Sequence, residues 1–339
     1  MKAKLIVLLI VLLLLHFPTA LAQDKPSLTD ADRTRLAEAF RLGHRLSNRI
    51  WKDWNKASFA ALLVTPEYEF LIRHPKPSED FTSLGYEPGL KSEVYYRKRT
   101  QRIDFLATFP AIRGSMISTI VVGQAEHTSA KTSTPWVVTL LHEHFHQLQN
   151  SQANYYRDVD ALNLARGDQT GMWMLNYAFP YDKAEVQEQF AVLSKLLVEA
   201  IEAQRSERSK KLLAYLQARR NFQRLLTPDD YRYFSFQLWQ EGIARYTEYH
   251  VARVAAASYK PGKEFRGLRD FTTFKQTASA IRERIFRQLK TQKLGESQRS
   301  AFYPFGAAEG LLLDKVNPRW HSRYFVDKFD LSRYFPIVN

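Results

Sequence analysis

The sequence predicts an α+β protein in which a small mixed β-sheet precedes a mainly helical region. Between residues 60 and 122, the apolar residues form short runs rich in β-branched and aromatic side chains, separated mostly by Pro, Gly and Ser. After Thr134 the apolar residues recur instead at the three- and four-residue spacing of amphipathic helices. We therefore expect one continuous region, 23–339, with a helix and the sheet in 23–130 and helices in 131–339.

The first 22 residues have the pattern of a secretory signal peptide. Lys2 and Lys4 precede an unbroken apolar run of 11 residues, 5–15, and Ala20-Leu21-Ala22 forms a small-x-small cleavage site. This run is shorter than the roughly 20 residues that a membrane-spanning helix needs. We expect cleavage near Ala22 and Gln23 and a secreted or periplasmic mature chain. A retained signal anchor is the alternative.

The composition indicates which compartment and which kinds of partner the protein has. The chain has no cysteine, which for an exported protein suits a bacterial periplasm or surface better than a eukaryotic extracellular fluid. Its formal net charge of +14 attracts anionic surfaces. Because no helix-turn-helix, RNA-binding or zinc-finger pattern is present, we expect no nucleic-acid partner. Either a solvated basic face or a contact with an anionic surface explains the charge, and we expect a monomer.

The N-terminal part should begin with a helix that starts at 29–32 and runs to about Trp54. Short strand-like runs follow it. They are residues 60–64, 68–72, 94–96, 103–109 and 116–122.

The helical part should begin at Thr134-Pro135, with Thr134 as the N-cap of a helix that ends near Asn150. Two charged amphipathic stretches, 183–204 and 206–226, predict a helical hairpin. A further helix should start at Thr227-Pro228 and run past Tyr249. The aromatic loop 171–177 either lines a pocket or packs in the core.

The predicted helix 134–150 contains a motif typical of a zinc site, His142-Glu143-His144-Phe145-His146. His142 and His146 are four residues apart, so they lie on one helical face, from which both can reach one zinc ion. Glu143 lies on the neighbouring side, from which its carboxylate can take a proton from a zinc-bound water. His144 points roughly away from His142, so we expect it to be packed or exposed and not a ligand.

A catalytic zinc needs a third protein ligand, and a helix rich in aromatic residues supplies the candidate. Its sequence is Leu238-Trp239-Gln240-Glu241-Gly242-Ile243-Ala244-Arg245-Tyr246-Thr247-Glu248. This segment resembles the W-x-x-E-G-x-A-x-[YF]-x-E element of gluzincin metallopeptidases, in particular the aminopeptidase N-like branch, although Leu238 stands at the Trp position. The resemblance implies that Glu241 is the third zinc ligand. Glu248 lies two helical turns further on the same face, where it could orient a ligating histidine. An ordinary amphipathic helix with surface carboxylates is the alternative.

Two further segments bear on the resemblance. Tyr303-Pro304-Phe305-Gly306 is similar to the Y-x-x-G helix start of the same branch, which implies that Tyr303 donates a hydrogen bond to the developing oxyanion. A core tyrosine is the alternative. Gly123-Gln124-Ala125-Glu126-His127 is weakly similar to the G-x-M-E-N strand, which would make Glu126 a ligand for a substrate amino terminus. Only Gly123 and Glu126 agree, and an unrelated edge strand and turn is the alternative.

The chain also departs from that branch. His146 and Glu241 are separated by 94 residues, far more than in the aminopeptidases, and the large amino-terminal β domain is absent. The resemblance therefore implies a compact gluzincin-like domain with an insertion at about 151–226. We expect the helical hairpin of this insertion to cap or wall the cleft, and substrate to lie along the edge strand of the sheet.

These residues predict a secreted hydrolase that uses Zn²⁺, Glu143 as general base and a peptide or protein as substrate. Two alternatives stay open. One is a non-catalytic exported binding module on the same scaffold. The other is a zinc enzyme that cleaves an ester or a wall amide, because the metal chemistry is shared among these substrates.

Overall fold

The computed structural model describes residues 26–337, and its N-terminal part begins with one long helix. Helix α1, Asp30–Ile50, starts where the side chain of Thr29 accepts a hydrogen bond from the backbone N–H of Asp32. This start lies at the predicted position. The predicted signal peptide and its cleavage point lie outside the described residues. No helix in the described range is long and apolar enough to cross a membrane.

A six-stranded sheet follows α1. Its strands are β1 Ala61–Val64, β2 Tyr68–Ile72, β3 Thr82–Glu87, β4 Ser92–Lys98, β5 Leu106–Phe109 and β6 Thr119–Gly123. They lie in the order β3-β4-β2-β1-β6-β5, in which β1 and β6 are parallel and all other neighbours are antiparallel. The predicted mixed sheet is therefore confirmed, with β5 as one edge strand. β3 was not predicted, because its side chains are exposed or only partly buried and lack apolar alternation.

The sheet separates two apolar cores, since neighbouring side chains of a strand point to opposite faces. Leu63 and Val122 point into the large core that the helices share, which extends through both predicted parts of the chain. Leu62 and Val121 point to the other face, where Ile112 helps to form a smaller core. The helices therefore cover one face of the sheet, and the candidate site lies on this side.

Helices make up most of the rest of the described chain. They are α2 Ser133–Asn150, α3 Tyr155–Asp160, α4 Trp173–Asn176, α5 Ala184–Glu202, α6 Arg208–Leu225, α7 Pro228–Gln237, α8 Ile243–Ser258, α9 Lys263–Arg266, α10 Phe274–Thr291, α11 Leu294–Ser297 and α12 Phe302–Val316. A π-helical turn, Leu238–Gly242, connects α7 to α8, so the helix predicted from Thr227-Pro228 past Tyr249 is confirmed. The sequence did not predict α10.

The predicted capping of α2 by Thr134 is wrong. The helix begins one residue earlier, at Ser133, and the hydroxyl of Thr134 donates a hydrogen bond to the carbonyl of Thr272. The backbone N–H of Ser133 is bonded to the carboxylate of Asp270, at 2.9 Å. Distant residues thus satisfy the start of this helix in place of a local cap.

The predicted helical hairpin is confirmed. Helices α5 and α6 are joined by residues 203–207 and pack along each other, and α5 also packs on α12. Their apolar side chains, such as Phe190 and Phe222, are buried in the large core. The hairpin therefore supports the helix that begins near Tyr303.

Candidate metal centre

The structure brings the three predicted zinc ligands together. His142 and His146 lie on one face of α2, each 6% exposed, and Glu241 approaches them from the π-helical turn. Each of the three side chains offers one ligand atom, and these atoms lie within 4.8 Å of one another. Nε2 of His146 is 3.6 Å from Oε2 of Glu241. Ligand atoms of a tetrahedral zinc lie about 3.4 Å apart, so the donor set suits one ion and the pair His146–Glu241 is close to that spacing.

The hydrogen bonds of His146 orient its ring for this role. The side-chain N–H groups of Gln149 donate to the carbonyl of Gln240, at 3.1 Å, and to the hydroxyl of Tyr324, at 2.7 Å. Its Oε1 therefore accepts from Nδ1 of His146, at 2.6 Å. Nδ1 thus keeps a proton, so Nε2, which lies 3.6 Å from Glu241, is the nitrogen that would bind a metal once its own proton is displaced.

The carboxylate of Glu248 faces Nδ1 of His142 without forming a hydrogen bond to it. Oε2 of this carboxylate lies 3.4 Å from Nδ1 of His142, which leaves Nε2 for a metal. Glu248 is itself bound by two arginines, at 2.6 Å from Arg245 and 2.8 Å from Arg284. Glu248 thus lies where the sequence predicts an orienting residue.

Glu143 lines the same cavity as the three candidate ligands. The hydroxyl of Thr108, on edge strand β5, donates a hydrogen bond of 2.7 Å to its Oε2. This contact fixes the carboxylate and leaves Oε1 without a hydrogen bond among the described residues. Glu143 is therefore placed as a general base would be.

Charges in the centre favour a cation. Burial opposes a charge on His146, yet Glu241 and Glu143 raise its pKa to about 9. Burial likewise disfavours the Glu241 carboxylate, but His146 keeps the pKa of this carboxyl low, at about 2. The two form a buried ion pair, and a divalent cation would take the place of the proton on His146.

Tyr303 lies beside the candidate ligand Glu241. It is the second residue of α12, and its side chain lines the cavity. Burial and the negative charge of Glu241 raise the pKa of its phenol, which therefore stays protonated at neutral pH. Arg299 donates a hydrogen bond to the phenol oxygen and lies 3.9 Å from the Glu241 carboxylate.

These residues line a cavity of about 910 Å³. Its lining includes residues of β5 and α10 and the apolar side chains of Met172 and Leu175. The prediction that the helical hairpin walls the cleft is wrong, because no residue of α5 or α6 lines it. Both interpretations of loop 171–177 hold in part, since Met172, Met174 and Leu175 line the cavity whereas Trp173 and Tyr177 are buried.

Glu126 does not belong to this site. It lies in a short 3₁₀ turn after β6, does not line the cavity and pairs with Arg35 at 3.1 Å. Since β6 lies between β1 and β5, the segment is also not an edge strand. The structure therefore does not support the prediction that Glu126 binds a substrate amino terminus.

His144 is packed in the core, as expected of a histidine that faces away from the metal ligands. Its ring stacks on Phe59 at 3.9 Å between ring centres, and its Nδ1 is 2.9 Å from the side-chain oxygen of Gln147. Burial lowers the pKa of His144 to about 4, so the ring is neutral at pH 7.

Several side chains of the site were not predicted. Gln149 follows His146 by three residues on the same helix, and that spacing alone could have indicated it. Thr108, Arg284 and Arg299 reach the site from elements whose packing the sequence pattern does not reveal. Comparisons of the chain with protein-family models, with curated proteins and with solved structures found no match.

Proposed function

We propose that the protein is a zinc-dependent hydrolase of peptide bonds, with His142, His146 and Glu241 as metal ligands and Glu143 as general base. This proposal rests on the convergence of these four side chains on one cavity, with Nδ1 of His146 bonded to Gln149 and Nδ1 of His142 facing Glu248. When bound there, zinc supplies a Lewis acid and lowers the pKa of a water molecule. The domain is then a gluzincin-like catalytic domain in which 151–226 is the insertion.

The chain's own groups perform the proton transfers. The Glu143 carboxylate, held by Thr108, takes a proton from the attacking water and delivers it to the leaving amine. The protonated phenol of Tyr303 donates a hydrogen bond to the oxyanion that forms at the scissile carbonyl. Arg299 holds the Tyr303 oxygen in place through its own hydrogen bond.

The shape of the cavity supports a peptide substrate. Among the described strands, β5 pairs with β6 alone, so its other edge offers backbone N–H and C=O groups along the cavity wall. An extended peptide can add to such an edge as a further strand. The peptide then lies beside Glu143, which Thr108 ties to the same strand.

Hydrolysis of a mixed peptide library by the zinc-loaded mature protein, read by mass spectrometry of the cleavage ends, tests this function. Glu143→Gln should lower turnover at least about hundredfold while retaining the metal. The matched control is Glu283→Gln, because Glu283 lines the same cavity without an ion pair among the described residues and should be dispensable.

Two other results would contradict the proposal. Cleavage of esters or wall amides without any cleaved peptide would show a zinc hydrolase of another bond. Zinc binding without hydrolysis of any of these substrates would favour an exported binding module.

A further inference from the structure

The charged side chains that line the cavity include more cationic groups than the metal centre uses. Four arginines and four glutamates line it, so these eight side chains together contribute no net charge. Of the arginines, only Arg299 lies beside Glu241 and Tyr303. The other three, Arg245, Arg284 and Arg287, lie on α8 and α10, and we call them the arginine triplet.

Two members of the arginine triplet bind Glu248, and this contact uses few of their N–H groups. Arg245 and Arg284 each give one N–H to Glu248, which in turn faces His142. A guanidinium has five N–H groups, so most of theirs are not used by the described residues. Nε of Arg284 is buried and has no hydrogen-bond partner among them. Binding Glu248 therefore does not account for all of their hydrogen-bonding capacity.

The third member, Arg287, does not bind Glu248. It lies one helical turn after Arg284 on α10, lines the cavity and is exposed. Among residues 26–337 no carboxylate lies within ion-pair distance of its side chain, and its guanidinium makes no hydrogen bond. Holding like charges together costs free energy, which an anion between them would offset.

The two neighbouring arginines also affect the pKa of Arg284. Burial lowers the pKa of its guanidinium, and the positive charges of Arg245 and Arg287 lower it further, against the opposing effect of Glu248. An anionic ligand at this position would gain attraction from all three groups. The forked N–H groups of arginine match the two oxygens of a carboxylate.

We propose that the arginine triplet binds a carboxylate of the substrate, on the His142 side of the metal centre. This inference rests on the proposed function and names its substrate class as peptides that carry an anionic group close to the scissile bond. The carboxylate belongs either to an aspartate or glutamate side chain or to the peptide's own C-terminus, and these two sources share the same recognition chemistry.

Matched peptides test the proposal and separate the two sources. In the first pair, blocked at both ends, one peptide carries Glu and the other Gln. In the second pair, Gln-containing peptides end in a free or an amidated carboxyl group. The zinc-loaded protein should cleave the carboxylate member of at least one pair with a kcat/KM at least about tenfold higher.

Arg287→Gln should remove this preference by lowering kcat/KM for the carboxylate peptide about tenfold without changing that of the neutral peptide. Arg282→Gln is the control, since Arg282 lies on the same helix over the ring of Phe286 and does not line the cavity. Equal cleavage within both pairs, or equal losses for both peptides in Arg287→Gln, would overturn the proposal.

Binding measurements show whether the anion site fails or the proposed function fails. The same four peptides are titrated into zinc-loaded Glu143→Gln protein with and without Arg287→Gln. If no peptide is hydrolysed but the carboxylate peptides bind about tenfold more weakly without Arg287, the peptidase proposal fails and the anion site holds. If peptides are hydrolysed, and if neither the carboxylate nor Arg287 changes the binding affinity, only the proposal of an anion site fails.

Discussion

Gly242 and Gly306 pack backbone against backbone where α12 crosses the π-helical turn. A Cβ atom placed on Gly242 would lie 2.5 Å from the Cα of Gly306, and one placed on Gly306 would lie 2.7 Å from the Cα of Gly242. Gly242 directly follows Glu241, and Gly306 follows Tyr303 by three residues. The close approach of these glycines therefore sets the distance between the candidate third ligand and the candidate oxyanion donor.

Replacing Gly306 with alanine should force α12 away from this turn. We expect a loss of about 1–3 kcal/mol in the free energy of unfolding, because the opposing atoms are backbone and cannot rotate away. Urea unfolding followed by circular dichroism measures it. The control is Gly295→Ala, whose added methyl meets only the end of the flexible Gln187 side chain. A Gly306→Ala protein as stable as the control would contradict the packing.

Gln149 should matter for zinc affinity without touching the metal. Gln149→Ala removes the acceptor that holds the proton on Nδ1 of His146, so we expect zinc to bind about 10 to 100 times more weakly. Competition with a chelating dye measures the dissociation constant. Gln152→Ala provides a control, because the Gln152 side chain donates to the carbonyl of Leu148 near the end of α2. Equal affinities in the two variants would show that Gln149 does not orient His146.

His321 should contribute to loss of stability in acid. Burial lowers its pKa from 6.5 to about 4. Between these two pH values the unfolded chain takes up a proton that the folded chain does not, so the folded state loses stability as the pH falls. The full pKa difference corresponds to about 3 kcal/mol.

The substitution His321→Gln should therefore shrink the difference in unfolding free energy between pH 7 and pH 4.5 by about 2 kcal/mol. Urea unfolding at the two pH values gives this difference. The exposed His44, replaced with glutamine in the same way, is the control. An unchanged difference in the His321 variant would show that this ring does not cause the acid sensitivity.

The sequence predicted those parts of the site that depend on spacing within one helix. His142, Glu143 and His146 share α2, and Glu241 and Glu248 share one continuous helix, so their relative placement follows from helical geometry. What the sequence could not predict depends on contacts between distant segments. Arg284 reaches Glu248 only because α10 packs on α8.

The same limit explains the errors at the ends of elements. Ser133 begins α2 because Asp270, 137 residues further along the chain, bonds to its backbone. β3 forms by pairing with β4, although its side chains remain largely exposed. In both cases, a tertiary contact overrides the local signals that a sequence pattern can show.

The central claim is that His142, His146 and Glu241 hold one zinc ion. Dialysis of the purified protein against zinc, followed by elemental analysis, tests it most directly, with Glu241→Ala beside the control Glu283→Gln. We expect one zinc per chain in the wild type and in the control, and a large loss of zinc in Glu241→Ala. A wild-type protein without zinc, or an undiminished zinc content in Glu241→Ala, would contradict the claim.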